Sequence, residues 1–320
     1  MSLVEVSNLS RSFGDLHAVR DVSFAFDAGE IYGFIGPNGA GKSTTMRILA
    51  TLDIPSRGDC TVGGLSTVDD ADKVRSLIGY MPDSYGSYPN MTVVEYLDFF
   101  ARSYGLKHEA RARAVGDVVE FCQLGNLRGK AITTLSKGMK QRLCLGRCLI
   151  HDPKLLILDE PSAGLDPRAR IEFRELLLVL AKQGKAIFIS SHILADLEEL
   201  CHGVAIIERG ELVASGRVDD IKARAQAAMR ASDQGRRAAV LELRLAAAHP
   251  SLATILAEQP ELSDVRIENT RATARVRGDE AAVAALVKRL VDAGVPLCHI
   301  ASRDDNLEDL FMHLTEGKVQ

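Results

Sequence analysis

Nothing in these 320 residues is long and apolar enough to cross a bilayer. The longest apolar stretches, around 155–158 and 186–189, are strand-length, whereas a spanning helix needs roughly 20 residues. The opening residues carry no basic segment followed by a hydrophobic one, so no secretion signal is expected. A basic field is missing as well. Formal net charge is −4 and the sequence pI is about 6.1, so no overall charge recommends nucleic acid as a partner. No internal repeat or low-complexity segment is found. These absences predict a cytoplasmic chain whose membrane role, if it has one, comes through a partner.

A metal-binding cysteine pattern is absent too. The six cysteines are scattered, and only Cys144 and Cys148, four apart on a predicted helix with His151 one turn on, suggest a site. No second ligand pair completes a tetrahedral set, so small buried side chains in a reducing cytosol are the favoured reading. At 46% hydrophobic and 26% charged, the chain has an ordinary globular composition and enough length for two domains.

The most informative stretch is Gly-Pro-Asn-Gly-Ala-Gly-Lys-Ser-Thr at 36–44. Its frame is Gly36, four residues, then Gly41, Lys42 and Ser43, between an apolar run at 31–35 that reads as a strand and a run at 45–50 that reads as a helix. That context identifies a P-loop. Gly36, Gly39 and Gly41, with Asn38 between them and Thr44 after, let the backbone curl so that successive N–H groups face phosphate oxygens. The following helix adds the positive end of its dipole. Lys42 is expected to reach the β- and γ-phosphates, and the Ser43 hydroxyl to ligate Mg²⁺.

A second block, Leu-Leu-Ile-Leu-Asp-Glu at 155–160, ends a hydrophobic strand in two carboxylates. Asp159 is expected beside the Mg²⁺, and Glu160 is expected to accept a proton from an attacking water. Strands at 155–158 and 185–189 alternating with helices at about 168–183 and 193–200 imply a mainly parallel sheet with covered faces. Residues 1–35 alternate as small antiparallel strands do, the segments after the P-loop helix with Gly58, Gly63 and Gly64 read as turn-rich, and 90–130 carries helical spacing.

Large aliphatics vanish at 222–239. The basic run there is weighed as an RNA or lipid contact against a solvated linker with helical character, and the linker is favoured. Beyond it, strand (240–245), helix (251–258), strand (265–268), strand (272–276), helix (280–293) and strand (297–302) spell βαββαβ, with a last helix at 306–315. No catalytic set is recognised there; ligand sensing, dimer contact and structural support all stay open. The expected division is a nucleotide-binding domain at 1–220, a linker at 221–239 and an accessory α+β domain at 240–320.

A third block, Leu135-Ser-Lys-Gly-Met139, precedes the Asp-Glu strand, and with it the chain resembles the ATP-binding subunits of ABC transporters over residues 1 to about 220. The resemblance implies an α/β P-loop ABC-type ATPase, with N-terminal antiparallel β and helical subdomains. It places Ser136 and Gly138 in a second anion site that closes over ATP held by another copy, hence a homodimer. It sets Phe13 against the adenine, a role weighed equally against a core position. It puts Asp83 where the family carries a Mg²⁺-sensing glutamine, Asp166 at the loop crossing the dimer, and His192 on the γ-phosphate. Lys137 and Asp83 depart from the commoner family pattern. These variants, and the tail from Asn306, resemble subunits of drug, ion and polysaccharide exporters. ATP and Mg²⁺ are the implied cofactors, and separate membrane permeases the implied partners, with the chain peripheral on the cytoplasmic face. The alternative is a soluble relative acting as a switch on ribosomes or DNA. Against it stand a single cassette and a compact 42–159 segment without a heptad array.

Overall fold

The computed structural model describes residues 2–84, 86, 90–192, 197–224, 238–277 and 280–303, which form two compact units dividing after Val218.

In the first unit, β1 (Val4–Phe13) and β2 (Leu16–Phe26) form an antiparallel hairpin, extended by β4 (Arg57–Val62) and β5 (Leu65–Ser66) in the order β2-β1-β4-β5. The last two strands occupy the segment expected to be turns. Gly58 misled the pattern: at φ 77° it lies against the Ser7 and Asn8 carbonyls, where a side chain would clash. Its glycine marks a close strand crossing instead of a break in structure.

A six-stranded sheet in the order β10-β9-β3-β8-β7-β6 forms the centre. Its strands are β3 (Ile31–Ile35), β6 (Ile78–Met81), β7 (Leu155–Leu158), β8 (Ala186–Ser191), β9 (Gly203–Glu208) and β10 (Glu211–Arg217). All neighbours are parallel except β9 and β10. β3, β7 and β8 are buried along their whole length, which explains their unbroken apolar runs. Phe24 and Phe26 of β2 stack on Tyr32 and Phe188 with ring centroids 4.9 to 5.6 Å apart, joining the two sheets across the core. This spends a small aromatic allowance in one place, where each ring removes a large apolar area from water.

Helix α1 (Lys42–Leu49) follows β3 directly and starts three residues earlier than the pattern suggested. Helices α2 (Ala71–Leu77), α3 (Val93–Ser103), α4 (His108–Phe121), α5 (Lys137–Leu149) and α6 (Pro167–Lys182) follow. The start of α3 is fixed by a capping box in which Thr92 and Glu95 satisfy each other's backbone N–H groups. Only residues 197–200 of the helix expected at 193–200 are described, as a short helical turn.

In the second unit, β11 (Ala238–Leu245), α7 (Leu252–Ala257), β12 (Leu262–Glu268), β13 (Arg271–Arg277), α8 (Glu280–Asp292) and β14 (Leu297–Arg303) follow the βαββαβ order. The strands pair antiparallel as β12-β13-β11-β14. Leu241, Leu243 and Leu245 meet Leu252, Leu256, Leu286 and Leu290 in their own core. Residues 218–224 are helical and β11 opens at 238, so both ends of the expected linker carry regular structure. Its middle, and the helix and tail expected from 306, lie outside the described residues.

Candidate functional site

Because β3, β7 and β8 run parallel, their C-terminal ends share one edge of the sheet. The register pairs Ile35 with Ser191 and Leu158 with Ile189, so the P-loop, Asp159, Glu160 and His192 emerge side by side. Such an edge is where open α/β sheets bind ligands.

The P-loop backbone is tightly wrapped. Gly41 has φ 103°, and a Cβ there would strike the Ala18 carbonyl; a Cβ at Gly36 would strike the carbonyl of Ile207. Gly39, at φ 82°, faces open space. The buried Lys42 Nζ donates to the Gly36 carbonyl at 2.7 Å and to that of Pro37 at 3.2 Å. It also lies 3.6 Å from Glu160 Oε1. Burial lowers its pKa, while the neighbouring Glu160 and Asp159 carboxylates pull it back up.

The loop opens onto a cavity of about 360 Å³ lined by Phe13, Leu16, Ala18, Asn38, Gly39, Gly41, Lys42, Ser43, Thr44, Asp83 and Glu160. One wall is apolar, from the β1–β2 hairpin; the floor is backbone amides, a lysine and a hydroxyl. Phe13 is 47% exposed and carries the Arg11 guanidinium 4.4 Å from its ring centroid, so it belongs to the cavity wall and not to the core. Leu16 and Ala18 were missed by sequence reasoning. The alternation of β2 beside Gly14 marks a hairpin, but nothing local says that the hairpin meets the phosphate loop. Gly36 is not part of the lining; it supplies the carbonyl that holds Lys42.

Of the paired carboxylates at the end of β7, Glu160 lines this cavity and Asp159 does not. Asp159 is 3% exposed, and its Oδ1 accepts from the Ser190 hydroxyl at 2.7 Å. Glu160 adopts φ 47°, a left-handed conformation costing an L-residue roughly 1–2 kcal/mol. Its N–H donates to Ser190 Oγ at 2.8 Å, and its Oε2 lies 2.8 Å from His192 Nδ1. Among the described residues Glu160 Oε1 is buried without a hydrogen bond, its neighbour being the Lys42 ammonium at 3.6 Å.

Ser136, Gly138 and Asp166 do not line this cavity. Ser136 caps α5, its Oγ accepting from Met139 N–H at 3.3 Å, and Asp166 caps α6, its Oδ1 accepting from Ala169 N–H at 2.9 Å. The two helix starts pack together: a Cβ at Gly138 would touch that of Ala169, and one at Gly164 would run into the Lys137 ammonium. Gln141 Nε2 donates to the Pro161 carbonyl, linking α5 to the segment after Glu160. These residues form a second cluster, separate from the nucleotide-sized cavity.

The cysteine–histidine pattern comes apart. Cys144 and Cys148 are buried, while His151 points its Nε2 at the Ile78 carbonyl, 2.9 Å away, and stacks on Tyr104 at 3.7 Å. Among the described residues no helix is long and apolar enough to cross a membrane.

The fit to a nucleoside triphosphate with Mg²⁺ rests on the donor set. Curled amides and Lys42 suit phosphate oxygens, and the Ser43 hydroxyl, the Asp83 carboxylate in the lining and the nearby Asp159 carboxylate are the hard oxygens a small divalent cation prefers.

Residues 19–163 match the family model described as ABC transporter. The chain is 30% identical to the linearmycin resistance ATP-binding protein LnrL of Bacillus subtilis (strain 168), over 98% of each chain. It is 37% identical to the "Probable multidrug ABC transporter ATP-binding protein YbhF" of Escherichia coli (strain K12) over 69% of this chain; the match spans 38% of that relative's length. A solved structure described as that of an ATP-binding subunit of an ABC transporter superposes with a TM-score of 0.64 at 33% identity, covering 70% of this chain and 93% of that one.

Proposed function

The chain belongs to the ATP-binding proteins of ABC transporters, and from that premise we propose that it binds and hydrolyses ATP to drive a membrane exporter. The observation that carries this reading is the convergence of Lys42, Glu160 and His192 at the cavity, at 3.6 and 2.8 Å. The amides of residues 38–44 cradle phosphate, and Phe13 with Leu16 offers an apolar wall to the base. Lys42 exchanges loop carbonyls for phosphate oxygens. Glu160, steadied by His192, takes a proton from water. Ser43 and Asp159, with Asp83 in the cavity lining, would hold Mg²⁺, which would supply neutralising charge on the phosphates.

Because Ser136, Gly138 and Asp166 stand apart from the cavity of their own chain, we assign them to the nucleotide held by a second copy. A two-fold homodimer meets that requirement with one sequence. The amide-rich start of α5 is then a second anion site. Separate permease subunits would read the closing and opening of this sandwich as a two-state switch at the cytoplasmic face of the membrane. The words resistance and multidrug in the names of these relatives support that direction.

Glu160→Gln tests both parts. Hydrolysis is expected to slow at least about 100-fold while ATP binding persists. Sedimentation of that variant with ATP should show a dimer. Near-normal turnover overturns the base assignment, and a monomer at every ATP concentration overturns the sandwich. Recovery of a polytopic membrane protein with the tagged chain checks the permease partner, and its absence from native membranes counts against the transporter reading.

A further inference from the structure

We propose that Ser190 is a positioning residue for hydrolysis, holding Glu160 in its left-handed backbone conformation and tying it to Asp159. The proposal deepens the ATPase reading and rests on it.

Ser190 lies at the end of β8, fully buried, beside Phe34 of β3. The β7–β8 register pairs Leu158 with Ile189, so the next step along both strands sets Ser190 against Asp159. Its hydroxyl makes two bonds in opposite senses. It accepts the Glu160 N–H at 2.8 Å and donates to Asp159 Oδ1 at 2.7 Å. A buried serine needs only a partner for its proton, and a carbonyl on its own strand would serve. Here both bonds go to the two residues that carry the carboxylates.

The consequence follows from the backbone. Glu160 sits at φ 47° with a side chain that gives no local support for that conformation. Two hydrogen bonds frame it: its N–H to Ser190, and its carbonyl, which accepts from Ala163 N–H at 3.1 Å. Removing the hydroxyl leaves the N–H without its acceptor, and the bond from Ala163 is then the one remaining of the two that frame this backbone. The Glu160 carboxylate would leave its place between Lys42 and His192. Asp159 has a second anchor, its own N–H donating to the Met81 carbonyl at 2.9 Å, so its position depends less on Ser190. Loss of Ser190 should therefore reach the chemical step through Glu160 and leave nucleotide binding nearly intact.

The test measures steady-state and single-turnover ATP hydrolysis, nucleotide affinity and melting temperature on the full chain. Ser190→Ala is expected to lower kcat about 10- to 100-fold, the scale of a misplaced catalytic group. KM and nucleotide affinity should stay within about twofold. Ser190→Thr, which keeps the hydroxyl, should recover most of the lost rate. The decisive comparison is Ser190→Ala in the Glu160→Gln background. Acting through Glu160, it should then change the single-turnover rate less than about twofold; a full multiplicative loss overturns the proposal. Unchanged kcat in Ser190→Ala also overturns it, provided Glu160→Gln is slow. If the unmodified chain fails to hydrolyse ATP, or Glu160→Gln turns over normally, the ATPase reading itself falls.

Discussion

The cavity end of the central sheet and the C-terminal unit are built by opposite habits. In the C-terminal unit, leucines of β11 alternate into one core with α7 and α8. Its left-handed non-glycine residues are Asn269, in the β12–β13 turn, and Asp264, at a register shift. Both are residue types that tolerate the conformation. At the cavity, a glutamate is held left-handed, a lysine is buried against carbonyls, and a carboxylate oxygen lacks a hydrogen bond. The C-terminal unit departs from local rules less, burying one charged side chain, Arg275, among its described residues. Those rules are broken where a ligand is expected to complete the structure.

This comparison is open to attack from both sides. The largest effect is expected at Leu243, fully in the C-terminal core, where Leu243→Ala should cost that unit about 2–5 kcal/mol. Calorimetry would show the loss, while ATP turnover stays within about twofold; a parallel collapse of turnover would show that the two units are not independent in function. Lys42→Ala comes next. Losing charge-assisted bonds should weaken ATP binding by about 10- to 100-fold, read by titration calorimetry. Unchanged affinity would mean that Lys42 merely braces the loop. The smallest effect is expected at Phe13, where Phe13→Ala should weaken ATP binding about 2- to 10-fold by removing a stacking face. A similar loss for triphosphate lacking a base would move Phe13 from base recognition to loop support.

The parts legible in the sequence were those whose chemistry is contiguous. The P-loop and the Asp159–Glu160 strand end point to their chemistry within a few residues, because the backbone shape and the side chains needed are neighbours, whereas the role of 135–139 came through the family resemblance. The βαββαβ order was legible for a related reason: period-two and period-3.6 patterns are local. The strands β4, β5, β9 and β10 were not read. The first two hide behind Gly58, which serves a close strand contact, and behind the Gly63–Gly64 turn, and the last two have no motif to announce them.

Sequence alone determined that this chain carries the P-loop pattern, a carboxylate pair at a strand end and the Leu135–Met139 segment that resembles the family signature. Those are properties of short segments, fixed by glycine freedom, charge and spacing. Only the tertiary structure decided that Phe13 leaves the core to wall the cavity and that Ser190 joins both carboxylates. It alone set Ser136 and Asp166 apart from the cavity in their own chain. Each of those depends on which strand lies beside which. Register is a global solution of packing that no single segment encodes.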